Sequence, residues 1–202
     1  LVSAGDESVL ASHRREITVV FCDLRGFTAF AETAEPEEVM GVLREYHEAV
    51  GPLIFRFEGT LERFTGDGLI VFFNDPVPCP DPTARAVRMA DRMRDAVAGL
   101  METWRQRGHA LGFGVGIAMG YATLGRIGFE GRLDYAAIGT VTNLSARLCG
   151  EAQSGQVLVS QGVYTAVQHL VEAEPVGALT LKGFLKPVPV YNVVRVKEPV
   201  SA

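Results

Sequence analysis

Two aspartates in this 202-residue sequence stand where a metal ion could use them. Asp23 closes a short β-branched apolar run, Ile17 to Phe21, that reads as a buried strand, and it precedes Leu24-Arg25-Gly26-Phe27-Thr28, a turn into a helix. Asp67 lies in Gly66-Asp67-Gly68, between the strand-like runs Thr60 to Thr65 and Leu69 to Phe73, and Asp-Gly between two such runs signals a hairpin. Two hard carboxylates at one end of a sheet suit Mg²⁺, which takes a few protein oxygens and leaves the rest of its shell to phosphates and water. The backbone N–H groups of residues 24–28, at a helix start, could then hold phosphate oxygens. Singly, each aspartate has a plainer reading: Asp67-Gly68 as a good turn, Asp23 as a helix cap. On neighbouring strands, together, they read as a metal site.

The second constellation is Asn143 and Arg147. At i and i+4 they share one face of a helix over residues 140–151, while Leu144 and Leu148 point elsewhere. An amide and a guanidinium side by side suit a sugar and a phosphate, and arginine can neutralise charge that develops at phosphorus. A solvated helix face is the plainer reading, and spacing alone favours it.

The elements that must hold these residues follow from periodicity. After Pro36-Glu37-Glu38, a helix start, Val39, Leu43, Tyr46, Val50, Leu53 and Phe57 form one apolar stripe; Gly51-Pro52 should kink it and Gly59 lies past its end. Asp81-Pro82 opens a second helix with Ala86, Met89, Met93, Val97, Leu100 and Trp104 on one face, ending near Gly108. Segment 111–120 alternates strictly: Leu111, Phe113, Val115, Ile117 and Met119 against Gly112, Gly114, Gly116, Ala118 and Gly120. A face that bare implies a close neighbour, most simply a tightly packed helix. Leu133 to Ile138, Gln156 to Ser160, Ala178 to Leu181 and Val188 to Val196 read as further strands. The order predicts an α+β fold: a ferredoxin-like βαββαβ core with additional β and α elements, helices packed on a mostly antiparallel sheet.

Composition excludes several classes. Hydrophobic residues make up 48% and charged residues 21%, a globular mix rather than a disordered or coiled-coil one. A net charge of −5 argues against a nucleic-acid partner, so a phosphate ligand needs a local site or metals. Three cysteines without a CxxC pattern argue against a disulfide framework or zinc site and for a reducing, cytoplasmic compartment. No run is long and apolar enough to predict a membrane span, so no membrane contact is expected from this segment. The sequence opens at Leu1 without Met, which suggests a part of a larger or membrane-tethered protein.

At this point the residues resemble a family, the catalytic domains of class III nucleotidyl cyclases. Phe21-Cys22-Asp23-Leu24-Arg25-Gly26-Phe27-Thr28 resembles its F-x-D-x-x-x-F-T signature. Phe64-Thr65-Gly66-Asp67, then Leu69 to Phe73, resembles its second metal motif. Asp134-Tyr135-Ala136-Ala137-Ile138-Gly139, then Asn143-Leu144-Ser145-Ala146-Arg147-Leu148, resembles its transition-state motif, and Leu181-Lys182-Gly183-Phe184 ahead of Pro187 to Tyr191 its closing hairpin. The likeness makes residues 16–196 the catalytic domain, between a tail or linker at 1–15 and a C-terminal tail at 197–202. It implies a homodimer, head to tail, with sites at the interface. Asp23 and Asp67 would bind two Mg²⁺ per site, with Mn²⁺ as a substitute. Asn143 would orient the ribose and Arg147 stabilise the pentacovalent phosphorus, both from the partner subunit. Leu24 to Thr28 would meet the phosphates, and Lys182, with Lys186 as the alternative, the triphosphate. The reaction implied is attack of the ribose 3′-oxygen on the α-phosphate, giving a 3′,5′-cyclic nucleotide and pyrophosphate.

The base is less strongly encoded. Arg63 stands where adenylate-forming members usually place Lys, Ala136 where Asp or Thr is common, and Thr140 replaces the acid of Ile-Gly-Asp. Arg63 can donate to adenine N1, but Ala136 cannot accept from N6. Glu62 is acidic, yet regular strand alternation turns it to the other face. ATP is the favoured substrate because a donor is retained, with GTP or mixed specificity as the alternative. A regulatory, non-catalytic cyclase-like domain is the rival; such a domain would tolerate loss of Asp23, Asp67, Asn143 or Arg147, and all four are present.

Overall fold

The computed structural model describes residues 11–129 and 132–197. The elements run β1 (His13–Arg25), α1 (Phe27–Thr33), α2 (Pro36–Arg56), β2 (Thr60–Phe64), β3 (Gly68–Phe73), α3 (Pro82–Gln106), β4 (Gly112–Phe129), β5 (Arg132–Ile138), α4 (Thr140–Glu151), β6 (Val157–Ser160), α5 (Gln161–Val167), β7 (Val171–Leu179) and β8 (Val188–Val196). The sheet order is β2-β3-β1-β4-β6-β8-β7, with β5 paired to β4. Strands β2-β3-β1-β4 with α2 and α3 form the expected βαββαβ core, and β4–β6 is a parallel pair in an otherwise antiparallel sheet.

Several boundaries differ from the sequence reading. Strand β1 begins at His13, so residues 13–15 belong to the sheet and not to a tail. Pairing with β4 back to Leu124 holds them there, a contact that local polarity does not reveal. Residues 1–10 and 198–202 lie outside the described residues. Helix α2 runs through Pro52 to Arg56, with a capping box between Glu35 and Glu38 at its start. Its buried residues are Val42, Tyr46, Val50 and Ile54, a stripe rotated slightly from the expected one. Past its end, Glu58 and not Gly59 takes the left-handed turn, at φ 62°. The α3 stripe is as read, with Ala86, Met89, Met93, Val97 and Trp104 at 0% exposure. Strand β7 begins earlier than the run around Ala178 suggested, and α5 was not anticipated.

The bare face of β4 is covered by α4 and by Arg25. A Cβ on Gly116 would lie 2.2 Å from the Cys149 nitrogen and 2.3 Å from the Ser145 carbonyl oxygen, both α4 backbone. Buried Ser145 fastens the same contact, its hydroxyl 2.8 Å from the Gly116 carbonyl and 2.9 Å from that of Val19. Gly116 therefore sets the distance between α4 and the sheet. Gly116→Ala should cost about 3 kcal/mol, because helix backbone cannot yield as a side-chain tip can. Denaturant unfolding checks this; a variant as stable as the parent would show that α4 can stand off the sheet freely.

A buried polar cluster fixes the opposite end of β1. The Asp75 carboxylate, at 0% side-chain exposure, takes the His13 imidazole at 2.6 Å, the Arg15 guanidinium at 3.1 Å and the Tyr135 hydroxyl. The bond to Asp75 raises the His13 pKa. Tyr135 belongs to β5, so the cluster ties the start of β1 to the strand that carries Ala136.

Candidate active site

Strand pairing brings the two aspartates to one end of the sheet. Asp23 stands in register with Gly68, and the Leu24 N–H donates to the Asp67 carbonyl at 3.2 Å. Gly66 turns the hairpin tip at φ 73°, a left-handed conformation that glycine adopts without steric penalty. The tip is closed by the Thr65 N–H on the Gly68 carbonyl at 2.8 Å. His47 of α2, not singled out from the sequence, packs at a tilt against Phe64 beside this tip with ring centroids 4.4 Å apart. Burial holds the His47 imidazole below its ordinary pKa.

Both carboxyls are pushed above the ordinary carboxylate range. For Asp23 burial is the main cause, Arg25 opposes it and the nearby Asp67 charge adds to it; for Asp67 burial again leads. The Asp23 Oδ1 atom is buried without a hydrogen-bond donor. Arg25 Nη1 is 3.2 Å from it, at ion-pair distance but off the line that a hydrogen bond needs. A desolvated carboxylate with an unused oxygen, beside a second acid, fits a divalent cation. Among the described residues no cluster of three or more His, Cys, Asp or Glu side chains forms a complete cage. Mg²⁺, which keeps water and substrate oxygens in its shell, does not require one.

The turn after Asp23 divides between structural and open groups. Leu24 is a correction: its N–H is taken by Asp67 and its side chain lies in the core at 3% exposure, so it offers nothing to a phosphate. The Arg25 side chain has a structural role: its guanidinium folds back over Gly114 onto the Cys149 carbonyl and Asp23, joining the end of β1 to α4, while the expectation for residue 25 concerned its backbone N–H. Gly26 at φ 76° starts α1, and the N–H groups of Phe27 and Thr28 at that start have no intrahelical acceptor.

Asn143 and Arg147 are exposed on one face of α4. Ser145 and Cys149, on the inner face, meet the sheet and the Arg25 that pairs with Asp23. Two residues along a helix is a rotation of about 200°, so Asn143 and Arg147 point away from the aspartates of their own chain. Lys182 and Lys186 are exposed between β7 and β8, where Gly183 turns at φ 89°.

Arg63 is linked to the β5 segment that carries Ala136 through a residue that regular alternation would place elsewhere. Strand β2 carries a bulge: Leu61 pairs with Val71 and Arg63 with Ile70, leaving Glu62 as the extra residue. Glu62 thereby turns toward β5, where its Oε2 accepts the Ala137 N–H at 3.3 Å while its Oε1 is 3.3 Å from Arg63 Nη2. This corrects the expectation that Glu62 faces away. Its side chain is 4% exposed against 65% for Arg63, and burial raises the Glu62 carboxyl pKa.

Two acids share one end of a ferredoxin-like sheet, with an outward amide–guanidinium pair on a neighbouring helix, an arrangement suited to metal-assisted phosphoryl transfer. Residues 9–194 match the family described as the adenylate and guanylate cyclase catalytic domain, and the chain belongs to that family. Its members generally use divalent metals. The sequence is 30% identical to adenylate cyclase 1 of Rhizobium meliloti across 99% of this chain and 30% of that protein. Among solved structures, the adenylyl cyclase CyaB from P. aeruginosa superposes with a TM-score of 0.88 at 33% identity, covering 93% of this chain and 98% of that one. The guanylyl cyclase Cya2 gives 0.86 at 32% identity, covering 94% and 97%. The chain spans about three-tenths of the length of the curated relatives it matches. Among the described residues no helix is long and apolar enough to cross a membrane.

Proposed function

We propose that the protein is a homodimeric nucleotidyl cyclase that converts ATP to 3′,5′-cyclic AMP and pyrophosphate. The observation that carries this reading is the opposition of its two half-sites. Asp23 and Asp67 share one sheet end with an unused carboxylate oxygen, while Asn143 and Arg147 face outward from α4. One chain then supplies half of each of two sites, and a second copy placed head to tail completes both. The β4–β5 arm supports such pairing, since Ile127, Phe129, Leu133 and Ile138 are all exposed apolar residues on it.

In the cyclisation the ribose 3′-oxygen forms a bond to the α-phosphorus, the bond from that phosphorus to the bridging oxygen breaks, and pyrophosphate leaves while the 3′-hydroxyl proton is lost. Asp23 and Asp67 would hold two Mg²⁺, or Mn²⁺ in their place, which supply Lewis-acid activation of the hydroxyl and charge neutralisation on the pyrophosphate. The open N–H groups of Phe27 and Thr28 bind phosphate oxygens. Asn143 of the second copy orients the ribose. Arg147 stabilises negative charge on the equatorial oxygens, and Lys182, with Lys186 as the alternative, meets the triphosphate. Arg63 donates to adenine N1.

The likeness to the guanylyl cyclase Cya2 keeps GTP as a second reading. The test is incubation of the purified protein with Mg²⁺ or Mn²⁺ and either nucleotide, following cyclic product and pyrophosphate. Equal amounts of cyclic AMP and pyrophosphate from ATP are expected. Cyclic GMP as the main product would assign the second reading, and no turnover of either nucleotide would leave the non-catalytic alternative.

A further inference from the structure

We propose that Glu62 is a positioning residue for base selection, acting through Arg63; this rests on the cyclase reading above. Arg63, on its own, is a flexible and largely exposed cation at the edge of the sheet. An unanchored guanidinium samples many directions and can donate to adenine N1 or guanine O6 with little preference. The bulge in β2 changes that by turning the Glu62 carboxylate into the gap between β2 and β5. There one oxygen is held by the Ala137 N–H and the other faces Arg63. The same carboxylate thus sets the guanidinium against the segment containing Ala136, the other position at which the base edge is met.

The anchoring also accounts for a side chain that would otherwise be costly. A carboxylate at 4% exposure with one neutral donor and one cation is poorly compensated, and a neutral residue there would serve the fold better. Its charge is what Arg63 needs for a fixed direction. A fixed donor aimed at N1 favours adenine, because guanine presents an N–H at that position and would leave two donors opposed.

Glu62→Gln separates this role from a simple strand clamp. Glutamine keeps an acceptor for the Ala137 N–H and nearly the same volume, but removes the charge that holds Arg63. In Glu62→Gln the ATP-to-GTP ratio of kcat/KM should fall about tenfold, with the change appearing in KM for ATP. Arg63→Gln should lower the ratio by a similar factor, and the double variant no further, since both substitutions remove one device. The ratio of Kd values for the α,β-methylene analogues of ATP and GTP should move in parallel, which separates failure of base selection from failure of the cyclase reading. The proposal is overturned if Glu62→Gln weakens both nucleotides equally, if its effect adds in full to that of Arg63→Gln, or if the parent protein does not discriminate at all. Arg63 is exposed, so Arg63→Gln is readable even if Glu62→Gln does not fold, and an unchanged ratio there also overturns it.

Discussion

Asp67→Ala should take ATP cyclisation down by roughly a thousandfold or more, since a lost metal contact to the reacting oxygens is worth several kcal/mol of barrier. The same substitution should leave the fold as stable as before, or more so. Burial raises the Asp67 pKa, so folding disfavours its ionised form, and near neutral pH that carboxylate subtracts from stability. The deficit sets in as pH rises above the unfolded carboxyl pKa, and a neutral side chain escapes it. Asp23→Ala should behave alike in activity, though its stability gain is offset by the loss of the Arg25 ion pair. A carboxylate kept for packing would show the reverse pattern, with activity and stability falling together. The measurements are initial rates with Mg²⁺ and Mn²⁺ and thermal unfolding of the same preparations. Substantial activity in folded Asp67→Ala would falsify the metal assignment.

Mixing Asp67→Ala with Arg147→Ala should restore activity that neither variant has alone. Asn143 and Arg147 point away from their own aspartates because Ser145 and Cys149 occupy the inner face of α4. On the proposed function, each site takes its acids from one copy and its amide and guanidinium from the other. A heterodimer of the two variants holds one doubly defective site and one intact site. With random exchange half of the dimers are heterodimers, so about a quarter of parental activity per site is expected, from near zero in either variant. The recovery should grow with incubation time and fail when exchange is blocked by crosslinking each variant with itself beforehand. If subunits demonstrably exchange and no activity returns, both halves belong to one chain and the interface reading is lost.

The placement of the candidate residues was legible in the sequence because it is local. Asp23 after an apolar strand, Asp67 in an Asp-Gly turn, and Asn143 with Arg147 one helical turn apart are all matters of spacing, which backbone geometry converts directly into a shared face or a hairpin tip. The βαββαβ order was legible for the same reason: periods of two and 3.6 along the chain separate strands from helices. The glycines of β4 announced a close neighbour, and α4 is that neighbour at Gly116.

What the chain could not disclose locally is where side chains go once strands pair out of regular register or helices meet. Glu62 was assigned to the wrong face because alternation assumes an unbroken ladder, and the bulge between Leu61 and Arg63 breaks it. The inward partner of the Arg25 guanidinium, the Cys149 carbonyl, is distant in sequence and no local pattern announces it. Leu24 lost its N–H to the hairpin tip in the same way. Spacing determined which residue types are available to the chemistry; packing between segments far apart in the chain decided which of them remain free to perform it, because a donor or charge already satisfied inside the protein is no longer available to a substrate.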